Sequence, residues 1–539
     1  MIDFGSNRSS AYFVAIMLIT ILGCASVVYG MKWGPWAGSD SVAYIEAARN
    51  FAKGDGLVIR QASGDRVPLS LHPPLYPVLL AALSVFSSDM IFVAKIANVV
   101  LWGIFILSIC LFYYFYLDHP IYLFLVCFLF LSSPLFLRLF TGAMSEPLFF
   151  VTSLMSLLLI IIYLQTNKAM VLFLSALLAA MSLLTRYMGV AVIAAGVLGL
   201  LVFSLGGFLK RVGKSVAYLA IGVSPLFVWT INLSHYGEYL GFLDFNFRDL
   251  WTRLAPYKVA FMDILWRWMK FDLVLSDLDY DNKLNILLVL IVVTLLVPII
   301  ALIISKRKVK FLDLLKLASL RFSVIAFSFS ILFVIFTALA VPISTRHYDV
   351  PNERIMSPFL MAIFVGSSSG VVFLLELFPS SRLSKFILPL FYVAFITLQI
   401  GPGFSYLRDL HDHGYGYTDK AWQSSELIEK VEELPLDTSI ISNEADAILL
   451  HVNRPAYRIP ELEQRKKVAV FDSFGQDYED KIQQIFRENG AALVLFDTVY
   501  WQFVPIYYHK TEERLEAFTS GLYLFSEAAD GEIYFYEFP

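Results

Sequence analysis

The sequence predicts an α-helical polytopic membrane bundle of about eleven transmembrane helices, followed by a soluble α/β domain. Three observations predict it. The 539 residues are 58% hydrophobic and only 16% charged. Mean hydropathy is +0.68. Long apolar runs alternate with short charged or Pro/Gly-containing breaks. A soluble domain carries about 25% charged side chains, which cover its surface, so the deficit points to lipid as the solvent. In lipid, helices and closed barrels are the backbones that satisfy their own hydrogen bonds. These runs are too long for barrel strands and do not alternate.

The first run, 11–30, reads as a retained helix rather than a cleaved signal, because no small-x-small site leads into a soluble domain. The other runs are 90–117, 120–138, 147–165, 169–185, 188–207, 215–233, 284–304, 321–343, 355–377 and 386–400. About 20 apolar residues cross a hydrocarbon core of about 30 Å; 169–185 and 386–400 are short. The first long loop, 31–89, has Tyr44, Ala47, Ala48 and Phe51 at helical spacing, which predicts an amphipathic helix. Pro73 to Phe86 is apolar, opens on Pro-Pro and is too short to cross, so it predicts a re-entrant or interfacial helix. Residues 234–283 form a second long loop. The bundle is assigned to 1–400, and the glycine- and charge-containing stretch 401–421 predicts a connector. Beyond it, 422–539 alternates helix-like "WQSSELIEKVEEL" and "YEDKIQQIFRENG" with strand-like "SIIS", "KVAVFD", "AALVLFD", "GLYLFSEA" and "EIYFYEF". That alternation predicts a small α/β domain, long enough for a core of its own.

Charge sets the expected sidedness. With a cytoplasmic N-terminus, the inside loops receive Lys168, then Lys210, Arg211 and Lys214, then Lys306, Arg307, Lys308 and Lys310, then Arg382 and Lys385. That is the positive-inside bias. The loops 31–89, 139–146, 234–283 and 344–354 then lie outside, together with the tail. Cys24, Cys110 and Cys127 all fall in apolar runs, so no disulfide framework is expected. The net charge of −4 says little about partners, because membrane insertion partitions charge by compartment; no nucleic-acid partner is expected, and the absence of a nucleotide-binding motif on the cytoplasmic side argues against an ATP-driven pump.

The outward mouth collects the polar candidates. Asp40 follows the first helix in "GSDSVAYIEAARN"; a loop aspartate is otherwise merely solvated. Glu146, in "TGAMSEPLFF", stands where the chain turns back into lipid, a position that also suits ordinary capping. Arg186 in "LLTRYMG" is costly beside a span unless it snorkels or pairs. His72 precedes Pro73-Pro74, as part of a rigid wall or of a plain turn. Arg346 and Arg354 bracket the loop in "PISTRHYDVPNERIMSP", where two guanidiniums suit a phosphate held by a planar donor fork. Carboxylates and cations on one face of a lipid-embedded bundle fit an enzyme whose donor has an apolar tail and a phosphate head.

These residues carry a resemblance. Asp40 with Tyr44, "HPPLYPVLLAAL" at 72–83, "SEPLF" at 145–149, "LLTRYMG" at 183–189 and "ERIMSP" at 353–358 resemble, in order and sidedness, the GT-C superfamily of membrane glycosyltransferases. The branch resembled is that of the polyprenyl-phosphate-mannose mannosyltransferases and aminoarabinose transferases. The resemblance covers most of 11–400 and extends weakly into the tail. It implies that Asp40 activates the acceptor hydroxyl and that Glu146 helps form the acceptor side, with Tyr44 in support. It implies phosphate contacts from Arg354, Arg346, His72 and Arg186. Two positions depart from the pattern: Ser41 replaces an acidic partner of Asp40, and His72 stands where a lysine is common.

The expected activity is therefore inverting transfer of a sugar from a polyprenyl-phosphate donor to a lipid, glycan or protein acceptor. It would take place at the non-cytoplasmic face of the plasma (inner) membrane. No cofactor is required by the sequence; a divalent metal is compatible with the carboxylates, but nothing demands one. A transporter or flippase of a lipid-linked amphipathic substrate is the main rival reading. A non-catalytic assembly subunit is the third.

Overall fold

The computed structural model describes residues 7–117, 119–235, 250–268, 315–343, 351–378, 386, 388–458, 482–487, 490–497 and 519–537. In chain order, α1 (Asn7–Gly30) enters the bundle. The first long loop then forms α2 (Ser39–Ala52), a hairpin of β1 (Val58–Arg60) and β2 (Arg66–Pro68), and α3 (Leu75–Leu83). The bundle continues with α4 (Met90–Phe112), α5 (Pro120–Ser132), α6 (Pro134–Phe140), α7 (Glu146–Thr166), α8 (Ala169–Thr185), α9 (Val190–Phe203) and α10 (Phe208–Ser234). After it come α11 (Leu250–Trp268), α12 (Ala318–Ile343), α13 (Glu353–Leu377) and α14 (Leu388–His413). Seven of the described helices are long and apolar enough to cross a membrane, and eight if the bent pair α5–α6 counts as one span. The runs at 169–185 and 188–207 appear as shorter apolar helices. The run at 284–304 lies outside the described residues.

The outer helices carry exposed apolar faces. Phe13, Leu18, Ile21 and Leu22 of α1, Phe227, Val228 and Ile231 of α10, and Leu390, Phe391 and Phe404 of α14 all present apolar side chains outward. A soluble protein does not leave such continuous apolar faces uncovered. The chain is a multi-pass membrane protein. At its centre runs α7, with 83% of its most apolar window buried against 17% for α1. Trp102, Phe105, Phe130, Phe136, Phe140 and Phe150 pack ring on ring beside its first turns.

Three local features depart from the sequence expectation, each for a physical reason. The run 120–138 is not one straight span: α5 and α6 meet at 69°. Pro134 pushes the preceding residue out of the helical region, and Ser133 is extended at φ −74°, ψ 117°. Second, the last bundle helix runs on to His413, through the first part of the stretch expected as a connector. Gly403 there is a contact glycine, since a Cβ would overlap the Ser132 carbonyl at the α5–α6 bend. Third, part of the second long loop is helical. α11 carries alternating apolar and charged residues, and its Phe261 and Trp268 meet Phe359 of α13.

The tail folds around a five-stranded sheet. Its elements are α15 (Lys420–Gln423), α16 (Glu426–Glu433), β3 (Ile440–Ser442), α17 (Ala445–His451), β4 (Tyr457–Arg458), β5 (Ala492–Phe496), β6 (Tyr523–Ala528) and β7 (Gly531–Phe535). Strand order is β4-β3-β5-β7-β6, parallel in the first two pairings and antiparallel in the last two. The strands at "SIIS", "AALVLFD", "GLYLFSEA" and "EIYFYEF" stand where the sequence pattern puts them; "KVAVFD" lies outside the described residues. Leu427, Val431, Ile448, Val494 and Ile533 fill its core.

Candidate active site

Five segments distant in sequence meet at one end of the bundle. The link between them is backbone pairing. The Trp36 amide donates to the Thr141 carbonyl at 2.9 Å and the Trp36 carbonyl accepts from Ala143 at 2.8 Å. On the other side, the Ala37 carbonyl accepts from the Tyr417 amide at 2.8 Å. Residues 36–37 are thereby clamped between the approach to α7 and the start of the tail. The clamp brings the first turn of α2, with Asp40, alongside the first turn of α7, with Glu146. Ser41 explains one departure noted in the sequence. It is the third residue of α2, and its hydroxyl accepts from the Gly38 amide at 3.1 Å and donates to Met144 Sδ at 2.9 Å. It caps the helix and ties it to the α7 approach. Arg186 is delivered by the extended residue that ends α8. Arg354 comes from the first turn of α13, which Asn352 caps by accepting from the Ile355 amide at 3.0 Å.

The charged groups form one connected cluster. Arg354 Nε donates to Glu146 Oε1 at 2.5 Å and its Nη2 to Asp40 Oδ2 at 2.6 Å. Arg186 Nη1 lies 2.7 Å from the same Glu146 oxygen and donates to Ser145 Oγ at 3.3 Å. Glu146 is 1% exposed, whereas the Asp40 side chain is 36% exposed and is the carboxylate at the opening. Glu146 Oε2 is buried and has no hydrogen-bond partner among the described residues. His72 Nε2 sits 3.8 Å from Asp40 Oδ1, and its Nδ1 is 3.1 Å from Tyr44 Oη. Burial is the largest influence on this imidazole. Arg186 and Arg354 add to it and Asp40 opposes it, so His72 is pushed below the ordinary histidine value. Near neutral pH it is uncharged. Burial, reinforced by Asp40, pushes the Tyr44 phenol up, so it keeps its hydrogen. Two carboxylates thus balance two guanidiniums.

Of the residues expected at the site, Asp40, Tyr44, His72, Glu146, Arg186 and Arg354 come together; Arg346 lies outside the described residues. Sequence reading did not single out Ser145, which accepts from both Arg186 and Tyr44. It also did not single out Tyr76, fully buried with its ring edge-on to Tyr44 at 5.2 Å. Their signals were only their places inside "SEPLF" and "HPPLY". Among the described residues, no three His, Cys, Asp or Glu side chains gather to hold one cation; the carboxylates here face guanidiniums instead.

No family model matches the sequence, and no curated protein matches it. Solved structures do resemble its fold. ArnT from Cupriavidus metallidurans in the apo state aligns over 97% of this chain and 98% of its own, at 12% identity and a TM-score of 0.52. The same protein bound to undecaprenyl phosphate aligns over 96% and 97%, at 12% identity and 0.48. The Archaeoglobus fulgidus oligosaccharyltransferase AglB, in complex with an inhibitory peptide and a dolichol-phosphate, aligns over 89% of this chain and 69% of its own, at 12% identity and 0.47. The first of these carries the fold assignment: the chain has the GT-C fold, from bundle through tail.

Proposed function

We propose that the chain is an inverting glycosyltransferase. It moves a sugar from a polyprenyl-phosphate donor to a lipid, glycan or protein acceptor at the non-cytoplasmic face of the plasma (inner) membrane. The observation that carries the reading is the bridge made by Arg354, which joins the exposed carboxylate of Asp40 to the buried one of Glu146. A cation beside an open carboxylate, at the lipid-embedded end of a bundle, suits a phosphate leaving group next to an attacking hydroxyl.

The charge balance gives the order of events. The four ionised groups sum to zero, so an arriving phosphate competes with Asp40 for Arg354. Donor binding therefore loosens Asp40 as it fills the cation site. Asp40 takes the acceptor hydroxyl's proton as that oxygen attacks the anomeric carbon opposite the departing phosphate, inverting the centre. A carboxylate is a weak base; it suffices because the hydroxyl becomes acidic as the bond to an oxocarbenium-like carbon forms. Bond cleavage turns a phosphodiester of one negative charge into a monoester approaching two. Arg354 and Arg186 act on that increase, which is where fixed charges accelerate a reaction. Arg346, eight residues before Arg354 in the sequence and outside the described residues, is assigned to the same phosphate. Glu146 holds the two guanidiniums through Oε1 and offers Oε2 to an acceptor hydroxyl, with Tyr44 supporting that side.

Sidedness is supported by the opposite end of the bundle. Lys168, Lys210, Arg211 and Lys214 cluster there, with Lys214 Nζ donating to Asn167 Oδ1 at 3.2 Å. Basic residues favour the cytoplasmic side, which leaves the site and the tail outside. The test is product formation. Purified full-length protein in liposomes is given a set of synthetic polyprenyl-phosphate sugars and a membrane lipid extract as acceptor pool. Free polyprenyl phosphate and a new glycosylated product, read by mass spectrometry, are expected. A donor that only changes leaflet, with its sugar intact, would make the protein a flippase instead.

A further inference from the structure

His72 has a place in the hydrogen-bond network that a phosphate contact does not explain. A guanidinium only donates, so Ser145 Oγ accepts from Arg186 Nη1 at 3.3 Å. Ser145 Oγ also accepts from Tyr44 Oη, at 3.3 Å. Tyr44 has one hydrogen and spends it there. The 3.1 Å contact between Tyr44 Oη and His72 Nδ1 therefore needs the imidazole to donate. A neutral imidazole that donates through Nδ1 carries a bare lone pair on Nε2. That nitrogen faces Asp40 Oδ1 at 3.8 Å, while the other Asp40 oxygen is held by Arg354. A lone pair and a carboxylate oxygen thus confront each other with no hydrogen between them, at the opening.

We propose that His72 is the second proton acceptor of the transfer reaction, taking from Asp40 the proton that Asp40 takes from the acceptor hydroxyl. The inference rests on the base role given to Asp40 above. As the acceptor oxygen bonds to the anomeric carbon, the carbon–oxygen bond to phosphate breaks and its electron pair leaves on the polyprenyl phosphate. The hydroxyl proton moves to Asp40 Oδ1 and then to His72 Nε2. Asp40 returns to carboxylate, and the imidazolium gives its proton to water through its exposed edge. Closing 3.8 Å to the 2.7–3.2 Å of a hydrogen bond takes a shift of about 0.6–1.1 Å, and catalytic contacts commonly tighten when substrate binds. The groups facing His72 are Asp40 and Tyr44 from α2, Glu146 from α7, Arg186 from the end of α8 and Arg354 from α13. The two arginines and burial keep the resting imidazole neutral and ready to accept. In acid, His72 is protonated beforehand, pairs with Asp40 and stops turnover. Activity is then present above the lowered His72 value and lost as pH falls through it.

Two measurements on the full-length protein in liposomes test this. In the first, solid-state NMR of protein labelled with 15N-histidine needs no substrate. The His72 signal, identified by its loss in His72→Gln, should show a protonated Nδ1 and a bare Nε2 at pH 7.5. A protonated Nε2 there would overturn the proposal. In the second, turnover is followed with whichever synthetic polyprenyl-phosphate sugar reacts fastest. His72→Gln should lower kcat by roughly 100-fold, leave donor KM unchanged, and remove the histidine-like acid limb from the pH profile. A raised donor KM with the acid limb intact would make His72 a phosphate contact and overturn the proposal alone. Full turnover by Asp40→Asn would instead overturn the base role on which it rests.

Discussion

Arg354 donates to Glu146 through Nε and to Asp40 through Nη2, two separate oxygens reached by one planar fork. Lysine offers a single point of charge and cannot span both. Arg354→Lys should therefore raise donor KM by roughly 10–100-fold, the worth of a charged hydrogen bond of about 1.5–3 kcal/mol; initial rates against donor concentration check it. Glu146→Gln leaves two guanidiniums facing each other around a neutral amide. Removing one member of a buried pair costs about 3–5 kcal/mol, and the partial exposure of both arginines puts the loss at the lower end. The Tm of the purified variant reads that cost. At this scale the sequence was legible in residue type and order: six expected residues converge because carboxylates and arginines beside a span need partners. The pairing was not legible. Nothing in the spacing shows that Arg354 reaches both carboxylates, or that His72 faces Asp40 rather than standing alone beside the prolines. Those relations depend on backbone pairing of Trp36 with Gly142 and of Ala37 with Gly416, the second pair 379 residues apart.

The helix that bears Asp40 is held at both ends. Its first turn is clamped by residues 36–37, and its last turn meets the tail. Arg49 Nη1 and Nη2 donate to the Leu449 and Leu450 carbonyls of α17 at 3.1 and 2.9 Å. Glu46, fully buried, accepts from Arg60 Nε at 2.5 Å and from Asn50 Nδ2 at 2.9 Å, and Arg60 reaches on to Asn453 Oδ1 at 2.6 Å. Glu46→Ala would remove the acceptor of Arg60 Nε, leave Asn50 only the Val58 carbonyl and Arg60 only Asn453, and loosen α2 against the tail. Protease cleavage within 53–68 should accelerate about 100-fold or more, for a loss of about 3–5 kcal/mol. Gly403→Val should cost about 1–3 kcal/mol, because the branched side chain meets the Ser132 carbonyl and backbone cannot step aside cheaply; a lower Tm checks it. Helix existence was readable from apolar run length. Helix ends and bends were less so, as the glycines near 403 look like loop residues until their neighbours are known. α11 was passed over because its apolar residues are interleaved with charge and its Trp-rich face takes meaning only against Phe359.

Over the whole molecule, the division into a helical bundle and a soluble tail is the most legible feature, since solvent sets composition along every stretch. Less legible is that the tail joins the active end of the bundle through α2, its pairing with Ala37 and its contacts with Arg49 and Arg60. The tail then serves as part of the frame for Asp40, and both lie on the same side of the membrane. A cysteine placed at Leu436, 89% exposed, should react with an impermeant maleimide in right-side-out vesicles and stay unlabelled in sealed inside-out ones. The central claim, sugar transfer with Asp40 as base, is tested most directly by comparing wild type with Asp40→Asn in the same liposomes. The measurement is release of polyprenyl phosphate from a polyprenyl-phosphate sugar, with donor binding recorded in parallel. The account predicts that Asp40→Asn binds donor but releases polyprenyl phosphate at least about 100-fold more slowly. Equal release by the two proteins at matched folding would contradict it.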